Sequence, residues 1–306
     1  MAVQFRWKDR LLFKLLTRLA RQFDAERHAR RGRDDAARAR RVLERELRTA
    51  IVQDQLVLHY QPLAGAGDGK VCGFEALVRW NHPERGMVPP MDFIPLAEET
   101  GLIAPLGEWV LRKACADAAS WLNPLRIAVN LSPRQLHQPQ LPGLVAEVLQ
   151  TTGLAPHRLE LEITETALFD DFDAALEGLR RLKLLGVRVA MDDFGTGFSS
   201  LSTLHSFPFD KLKIDRSFVK AIHTDDRATA IVRAVLGLGH SLSIPVVAEG
   251  VETDEQLDIL RLEGCAEVQG FGIGRPAPID TLAHIVGAAR PTRARSRAQS
   301  RAKAAA

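Results

Sequence analysis

Acidic and amide side chains recur where predicted strands end, and their types suit one kind of site. The set consists of Glu75, Asn130, Glu162, Asp192, Asp193, Glu249 and Gln269, with Arg79, Glu165, Lys213 and Asp215 close to them in the sequence. Carboxylate and amide oxygens, without histidine or thiolate, suit Mg²⁺ or Mn²⁺ better than zinc. Adjacent carboxylates such as Asp192 and Asp193 can serve two metal ions in phosphoester hydrolysis. Lys213 is suited to orienting or deprotonating a water, or to neutralising phosphate charge.

Taken singly, each of these residues has an ordinary structural interpretation. A glutamate near a strand end is usually a solvated residue or a salt-bridge partner, and Asn130 before Leu131-Ser132-Pro133 is a plausible helix cap. The turn after Asp193 uses Gly195 and Gly197, which supply positive φ. These interpretations weaken jointly, because seven consecutive strand ends carry a polar group suited to one oxygen-ligated site.

The elements that must position these residues alternate regularly. Eight β-type runs occur at 55–61, 71–79, 126–130, 159–164, 187–193, 211–215, 244–248 and 267–271. Helical patterns occur at 105–121, 134–151, 171–185, 227–242 and 253–263, with shorter ones near 92–99, 198–206 and 278–287. This alternation predicts an α/β fold, a (βα)8 TIM-like barrel whose strand ends converge at one mouth. A turn-rich segment of about nine residues joins the first two runs, too short for a parallel crossover, so the first strand is predicted to be antiparallel.

Composition places the chain among soluble globular proteins. Its 306 residues are 46% hydrophobic and 26% charged, which excludes collagen, wholesale disorder and a disulfide scaffold. Cys72, Cys115 and Cys265 lie far apart and are interpreted as core residues in a reducing compartment. We expect no transmembrane helix and no secretory signal, and hence a cytoplasmic location, with peripheral attachment to the inner membrane left open.

Charge divides the chain into three predicted parts: a basic amphipathic helical segment at 1–50, a barrel at 51–289, and a basic disordered tail at 290–306. The first part carries 15 Lys/Arg against 7 Asp/Glu, the tail carries 6 Lys/Arg and no acid, and the barrel carries 20 against 31. An acidic barrel argues against nucleic acid as its ligand. Leu11 to Phe23 form an apolar helical stripe, followed by a second helix at about 34–50, and the segment either packs within the protein or binds a membrane surface or partner.

Several motifs resemble the EAL-domain family of bacterial cyclic di-GMP phosphodiesterases. Glu75-Ala76-Leu77-Val78-Arg79-Trp80 is similar to the family signature. The other similar segments, in order, are His59-Tyr60-Gln61-Pro62, Phe93 to Ile103, Val129 to Pro133, Glu162-Ile163-Thr164-Glu165, Asp192 to Gly197, Lys213-Ile214-Asp215 and Ala248 to Thr253. The resemblance covers about 51–280.

This resemblance implies a barrel with an antiparallel first strand and a role for each motif residue. It implies metal ligation by Glu75, Asn130, Glu162, Asp192 and Asp193, and a further acid at the metal–water site, Glu249. Lys213 and Gln269 resemble residues that assist and position the attacking water. Gln61, Arg79 and Asp215 are predicted to contact substrate, and Glu165 to anchor the loop 193–200. A homodimer through the barrel is also implied.

The predicted function is hydrolysis of cyclic di-GMP to linear pGpG with two Mg²⁺ or Mn²⁺ ions. We expect Ca²⁺ to inhibit, because it is larger and prefers more ligands at longer distances. The alternatives are a cyclic di-GMP receptor that barely cleaves and, less favoured by the motif order, a barrel hydrolase of another phosphoester. Gly272 and Gly274 stand where the family usually has bulkier residues, which predicts extra backbone freedom beside the pocket.

Overall fold

The computed structural model describes residues 37–168, 171–195, 204 and 206–287. Its strands are β1 (Leu56–Gly65), β2 (Val71–His82), β3 (Gly86–Val88), β4 (Arg126–Asn130), β5 (Leu159–Thr164), β6 (Arg188–Phe194), β7 (Lys211–Ile214), β8 (Val246–Ala248) and β9 (Glu267–Gln269). The helical stripe at Leu11 to Phe23 and the tail at 290–306 lie outside the described residues.

Helices alternate with these strands. They are α1 (37–52), α2 (Pro90–Thr100), α3 (Ile103–Ala119), α4 (Pro133–Leu136), α5 (Leu141–Thr152), α6 (Phe172–Leu184), α7 (Arg216–Ala221), α8 (Asp226–Leu242), α9 (Asp254–Leu262) and α10 (Ala283–Val286). Short 3-10 turns lie at Pro156–Arg158, Glu165–Leu168 and Ile279–Leu282. None of the described helices is long and apolar enough to cross a membrane.

Eight strands close into a barrel, as predicted. The order runs β1-β9-β8-β7-β6-β5-β4-β2, and β1 pairs with β2 to complete the circle. Strand β1 is antiparallel to both neighbours, which confirms the prediction made from the short first connection. Strands β2 and β4–β9 pair in parallel around the rest of the circle. Their carboxyl ends therefore share one mouth.

Three details differ from the predicted elements, one of them the short helix α7, which no predicted helical pattern covers. The helix predicted at 134–151 is two helices, α4 and α5, with Pro139 between them and Pro142 in the first turn of α5. Proline lacks a backbone N–H and is tolerated at a helix start but not in its interior, which explains the break. The three-residue β3, which extends β2 as a hairpin, was not predicted.

Apolar packing joins α1 to the barrel. Leu47 and Ala50 of α1 are fully buried in a cluster with Trp80 of β2 and Phe93 of α2. The remaining core lies largely between the barrel wall and its outer helices, with Ile127, Leu161, Val189 and Leu212 buried on four neighbouring strands. The second half of the predicted N-terminal segment therefore packs against the barrel.

Candidate functional site

Glu75 on β2 holds two amide side chains from other strands. Its Oε1 accepts a hydrogen bond from Asn130 Nδ2 at 2.6 Å, and its Oε2 accepts one from Gln269 Nε2 at 2.6 Å. Asn130 ends β4, the strand next to β2, and Gln269 ends β9, which is separated from β2 by β1. Both amides therefore reach Glu75 at the mouth of the barrel. The three residues form one side of the predicted site.

Lys213 on β7 stands among three carboxylates. Its Nζ lies 2.8 Å from Glu162 Oε2, 2.6 Å from Glu249 Oε1 and 3.3 Å from Asp192 Oδ2. Lys213 and Glu162 are buried, and four successive strands, β5 to β8, bring the group together. We call Glu75, Asn130, Glu162, Asp192, Lys213, Glu249 and Gln269 the site layer.

Burial and the crowding of like charges shift the pKa values of the ionisable groups in this layer. Burial raises the pKa of Glu162 well above its ordinary value. Lys213 lowers this pKa, but its effect is smaller than that of burial, and the nearby carboxylate of Glu75 raises the pKa further. Burial, and the neighbouring Asp192, raise the pKa of Glu249 to about 8. Although burial opposes its charge, the surrounding carboxylates raise the pKa of Lys213 well above its ordinary value. Lys213 is therefore an ammonium in this arrangement.

Asp193 faces the same mouth from a strained backbone position. Its φ is 54°, a left-handed conformation that aspartate tolerates better than most residues, and its N–H donates to Asp192 Oδ1 at 2.9 Å. Burial, together with Asp192 and Asp215, raises the pKa of Asp193 to about 6. The conformation turns consecutive carboxylates of β6 toward one site.

The donor set fits a divalent cation. One carboxylate oxygen each from Asp192, Asp193 and Glu249 lie within 4.8 Å of one another. In addition, Glu162 Oε1 is buried and accepts no hydrogen bond from the described residues. Buried carboxylates are costly unless paired or bound to a cation, and hard ions such as Mg²⁺ and Mn²⁺ prefer such oxygens.

A polar cavity of about 460 Å³ opens beside these carboxylates. Gln61, Asp193, Asp215, Glu249 and Gln269 contribute to its wall. Gln61 Nε2 donates to Gly274 O at 3.3 Å, and Asp215 caps α7 by accepting from Ser217 N. The structure thus places two of the three predicted substrate contacts, Gln61 and Asp215, on the cavity that adjoins the acidic residues.

Arg79 lies on a different side of the mouth. It lines an adjacent, more apolar cavity of about 330 Å³ together with Asn130 and Thr164. Its Nη1 donates to Val78 O at 2.9 Å, and burial lowers its pKa. Asn130, a predicted metal ligand, also lines this second cavity, whereas neither Arg79 nor Asn130 lines the polar cavity.

Glu165 is buried at the start of the 3-10 turn that follows β5. Most of the loop it is predicted to anchor, residues 196–200, lies outside the described residues. Its anchoring role stays a prediction.

Three charged or aromatic residues on the polar cavity were not among the predicted site residues, Arg216, Glu252 and Phe271. Arg216 directly follows Asp215, and Phe271 follows Gln269-Gly270, so adjacency to a predicted site residue was the available signal. The Arg275 guanidinium carbon lies 4.3 Å from the Phe271 ring centre, a cation–π contact at the cavity rim.

The turn after Gln269 is tied down, contrary to the freedom expected from its glycines. Gly272 N donates to Val251 O and Gly274 N donates to Gly270 O, both at 2.9 Å. A Cβ at Gly274 would lie 2.4 Å from Pro62 Cγ. Close packing against β1, rather than mobility, therefore explains the glycine at 274.

Comparison with known proteins gives consistent matches. The EAL domain model matches residues 44–276. A Caulobacter vibrioides protein described as an uncharacterized signaling protein is 72% identical over 256 residues, which cover 84% of this chain and 32% of that protein. Cyclic di-GMP phosphodiesterase NbdA of Pseudomonas aeruginosa is 45% identical over 252 residues, covering 81% of this chain and 32% of NbdA.

A solved structure matches over nearly its whole length. The phosphodiesterase PaMucR in complex with c-di-GMP is 45% identical to this chain, with a TM-score of 0.76, and the match covers 78% of this chain and 99% of that one. By contrast, this chain spans about a third of the length of the curated relatives.

Proposed function

Because the chain belongs to the EAL domain family, we propose that it is a phosphodiesterase that hydrolyses cyclic di-GMP to linear pGpG. The observation that carries the proposal is the position of Lys213, whose ammonium lies within 3.3 Å of three carboxylates at the mouth of the barrel. Glu75, Asn130 and Gln269 complete the same layer. Relatives named as cyclic di-GMP phosphodiesterases, such as NbdA, support the same substrate.

The oxygens of Glu75, Asn130, Glu162, Asp192 and Asp193 are proposed to hold two Mg²⁺ or Mn²⁺ ions, with Glu249 close by. When bound, the ions would supply Lewis-acid stabilisation of the attacking and leaving oxygens. The substrate carries two phosphates, and the site layer has more carboxylates than cationic groups. Productive binding is therefore proposed to need the metal as well as the protein.

The protein's own groups orient the reaction. The attacking water oxygen forms a bond to one phosphorus and the phosphorus–oxygen ester bond breaks; in the net reaction the water gives up one proton, and the leaving oxygen gains one. Lys213, as an ammonium, donates a hydrogen bond that orients the water or offsets developing negative charge. Gln269 positions the water, Gln61 and Asp215 contact the substrate from the polar cavity, and Arg79 contacts it from the second cavity. Glu165 is proposed to anchor the loop 193–200.

The alternative is a receptor that binds cyclic di-GMP and barely cleaves it. The complete set of acidic residues and Lys213 favours the enzyme, because a receptor has no need of a lysine held among three carboxylates. Assembly as a homodimer and contact of the segment 1–50 with a membrane or partner stay proposals. The same holds for the division of the chain at residues 50 and 289.

Incubation of the purified chain with cyclic di-GMP, followed by chromatography of the products, tests the proposal. Mg²⁺ or Mn²⁺ should give linear pGpG, EDTA should stop its formation, and Ca²⁺ added with Mg²⁺ should inhibit. Tight binding of cyclic di-GMP without linear product under either metal would overturn the proposal of an enzyme and favour the receptor alternative.

A further inference from the structure

A second group of charged side chains lies inside the barrel, beneath the site layer. It consists of Arg126, Glu160, Lys211 and Glu267, which we call the lower ion layer. Lys211 Nζ lies 2.7 Å from Glu160 Oε1 and 3.0 Å from Glu267 Oε2, and the Arg126 guanidinium pairs with Glu267 Oε1. The Lys211 and Glu160 side chains are only 1% and 2% exposed.

The lower ion layer uses the same strands as four residues of the site layer. Glu160 precedes Glu162 on β5, Lys211 precedes Lys213 on β7, and Glu267 precedes Gln269 on β9, each by two residues. Residues two apart on a strand face the same side, roughly 6.6 Å apart. Arg126 occupies the start of β4, which ends at Asn130. Each charged side chain of the lower ion layer therefore lies on a strand that also carries a residue of the site layer.

Packing leaves room for this arrangement. Gly73 on β2 pairs with Arg126 on β4, and a Cβ at position 73 would lie 3.1 Å from Arg126 O and 3.2 Å from Arg126 Cβ. The absence of a side chain at Gly73, two residues before Glu75, thus lets β2 lie close to the arginine. Two cationic and two anionic groups give the layer no net charge.

Buried ion pairs add little stability by themselves, because desolvation offsets most of the attraction, and in some proteins they instead specify geometry. We infer that the lower ion layer is a set of positioning residues for the site layer: its ion pairs across β4, β5, β7 and β9 hold Asn130, Glu162, Lys213 and Gln269 at the spacing that divalent ions and the attacking water require. This inference rests on the proposed phosphodiesterase function, although its effect on metal binding is measurable without turnover.

The test compares the full chain with the double variant Glu160→Gln/Lys211→Met. The variant removes one charge of each sign and keeps the Arg126–Glu267 pair, so no buried charge of the layer is left alone. We expect turnover of cyclic di-GMP to fall by about 10-fold or more and the affinity for Mn²⁺, measured by calorimetry without substrate, to fall by a similar factor. KM for the dinucleotide should change by less than about 3-fold, since no residue of the layer lines the polar cavity.

Lys183→Met is the matched control. Lys183 Nζ lies 2.6 Å from Asp210 Oδ1 in a partly buried ion pair that also packs against the start of β6, away from the barrel mouth. This variant should lose thermal stability and keep wild-type turnover and Mn²⁺ affinity. Glu160→Gln alone, nearly isosteric, serves as a second probe should the double variant not fold, and it should show the same loss in Mn²⁺ affinity to a smaller extent.

Folded variants of the lower ion layer with wild-type turnover and Mn²⁺ affinity would overturn the inference, as would an equal loss in Lys183→Met. Absence of hydrolysis by the wild type would instead contradict the proposed function. In that case, the Mn²⁺ affinity of the variants alone tests the inference about the lower ion layer.

Discussion

Two lysines of β7, two residues apart, lie in layers that are alike in burial but differ in charge balance. Lys211 belongs to a layer in which two carboxylates meet two cationic groups. Lys213 faces three carboxylates directly, and Glu75 adds a fourth to its layer. The comparison teaches that burial of charge does not by itself mark a metal site. An excess of carboxylates over cationic groups indicates one more strongly, because a bound cation removes an imbalance that protonation of Glu162 or Glu249 would otherwise have to remove.

The largest expected effect comes from removing Glu75. Glu75→Ala deletes a proposed metal ligand and leaves both Asn130 Nδ2 and Gln269 Nε2 without their acceptor. Turnover of cyclic di-GMP should fall by more than about 10²-fold, beyond the usual cost of losing an outer-shell partner. Product chromatography under saturating Mn²⁺ measures it. Turnover within a few-fold of wild type would show that the site layer is not the catalytic one.

Lys213→Ala should have the next largest effect. It removes the one cationic group among the described residues that contacts Glu162, Asp192 and Glu249, and we expect kcat to fall by about 10²-fold, the usual scale for removing one preorganised electrostatic donor. KM should change little, because Lys213 is fully buried beneath the cavity. A rise in KM with unchanged kcat would assign Lys213 to substrate binding instead.

Much of this layered arrangement follows from the sequence, but not all of it. All eight barrel strands were predicted, because alternating runs and the carboxyl-end rule constrain a barrel strongly. The lower ion layer was missed, although Glu160-Leu161-Glu162 and Lys211-Leu212-Lys213 repeat a charge at every second residue. Alternation does not say whether the charged face points to solvent or into the barrel. Only pairing across the barrel, as between Glu160 and Lys211, decides that.

The site was predictable to a similar extent. The acidic residues meet as expected, because they share one edge of the barrel. The placement of Arg79 on an adjacent cavity was not predictable, since it depends on how α2, α3 and β4 pack around β2. The close contact of Gly274 with Pro62 likewise depends on residues more than 200 positions apart.

A third prediction concerns stability and sharpens the contrast between the layers. Lys211→Met leaves Glu160 without its lysine in the interior, and breaking such a buried pair costs about 3–5 kcal/mol of unfolding free energy. Glu160→Gln/Lys211→Met should recover most of this loss, because it leaves the layer neutral. Urea unfolding monitored by circular dichroism provides the comparison. Equal instability of the two variants would mean that the fold needs the ion pair itself.

The smallest effects are expected at α1, which lies outside both layers. Leu47→Ala opens the cluster around Trp80 and Phe93, and should cost about 2–4 kcal/mol while leaving kcat/KM unchanged. Arg40→Ala removes an exposed ion pair with Glu99 and should cost at most about 1 kcal/mol. The same unfolding and turnover assays apply. Loss of turnover in a folded Leu47→Ala protein would show that α1 influences the site.

The most direct measurement compares Glu162→Gln with Glu160→Gln, two nearly isosteric changes at neighbouring inward positions of β5. Calorimetry with Mn²⁺ and turnover of cyclic di-GMP are measured on both. Glu162→Gln should lose one or both bound ions and more than about 10²-fold in turnover, whereas Glu160→Gln should keep the wild-type number of bound ions and lose less than about 10-fold. Equal behaviour of the two variants, or unchanged ion binding in Glu162→Gln, would contradict the assignment of the site layer as the metal and catalytic centre.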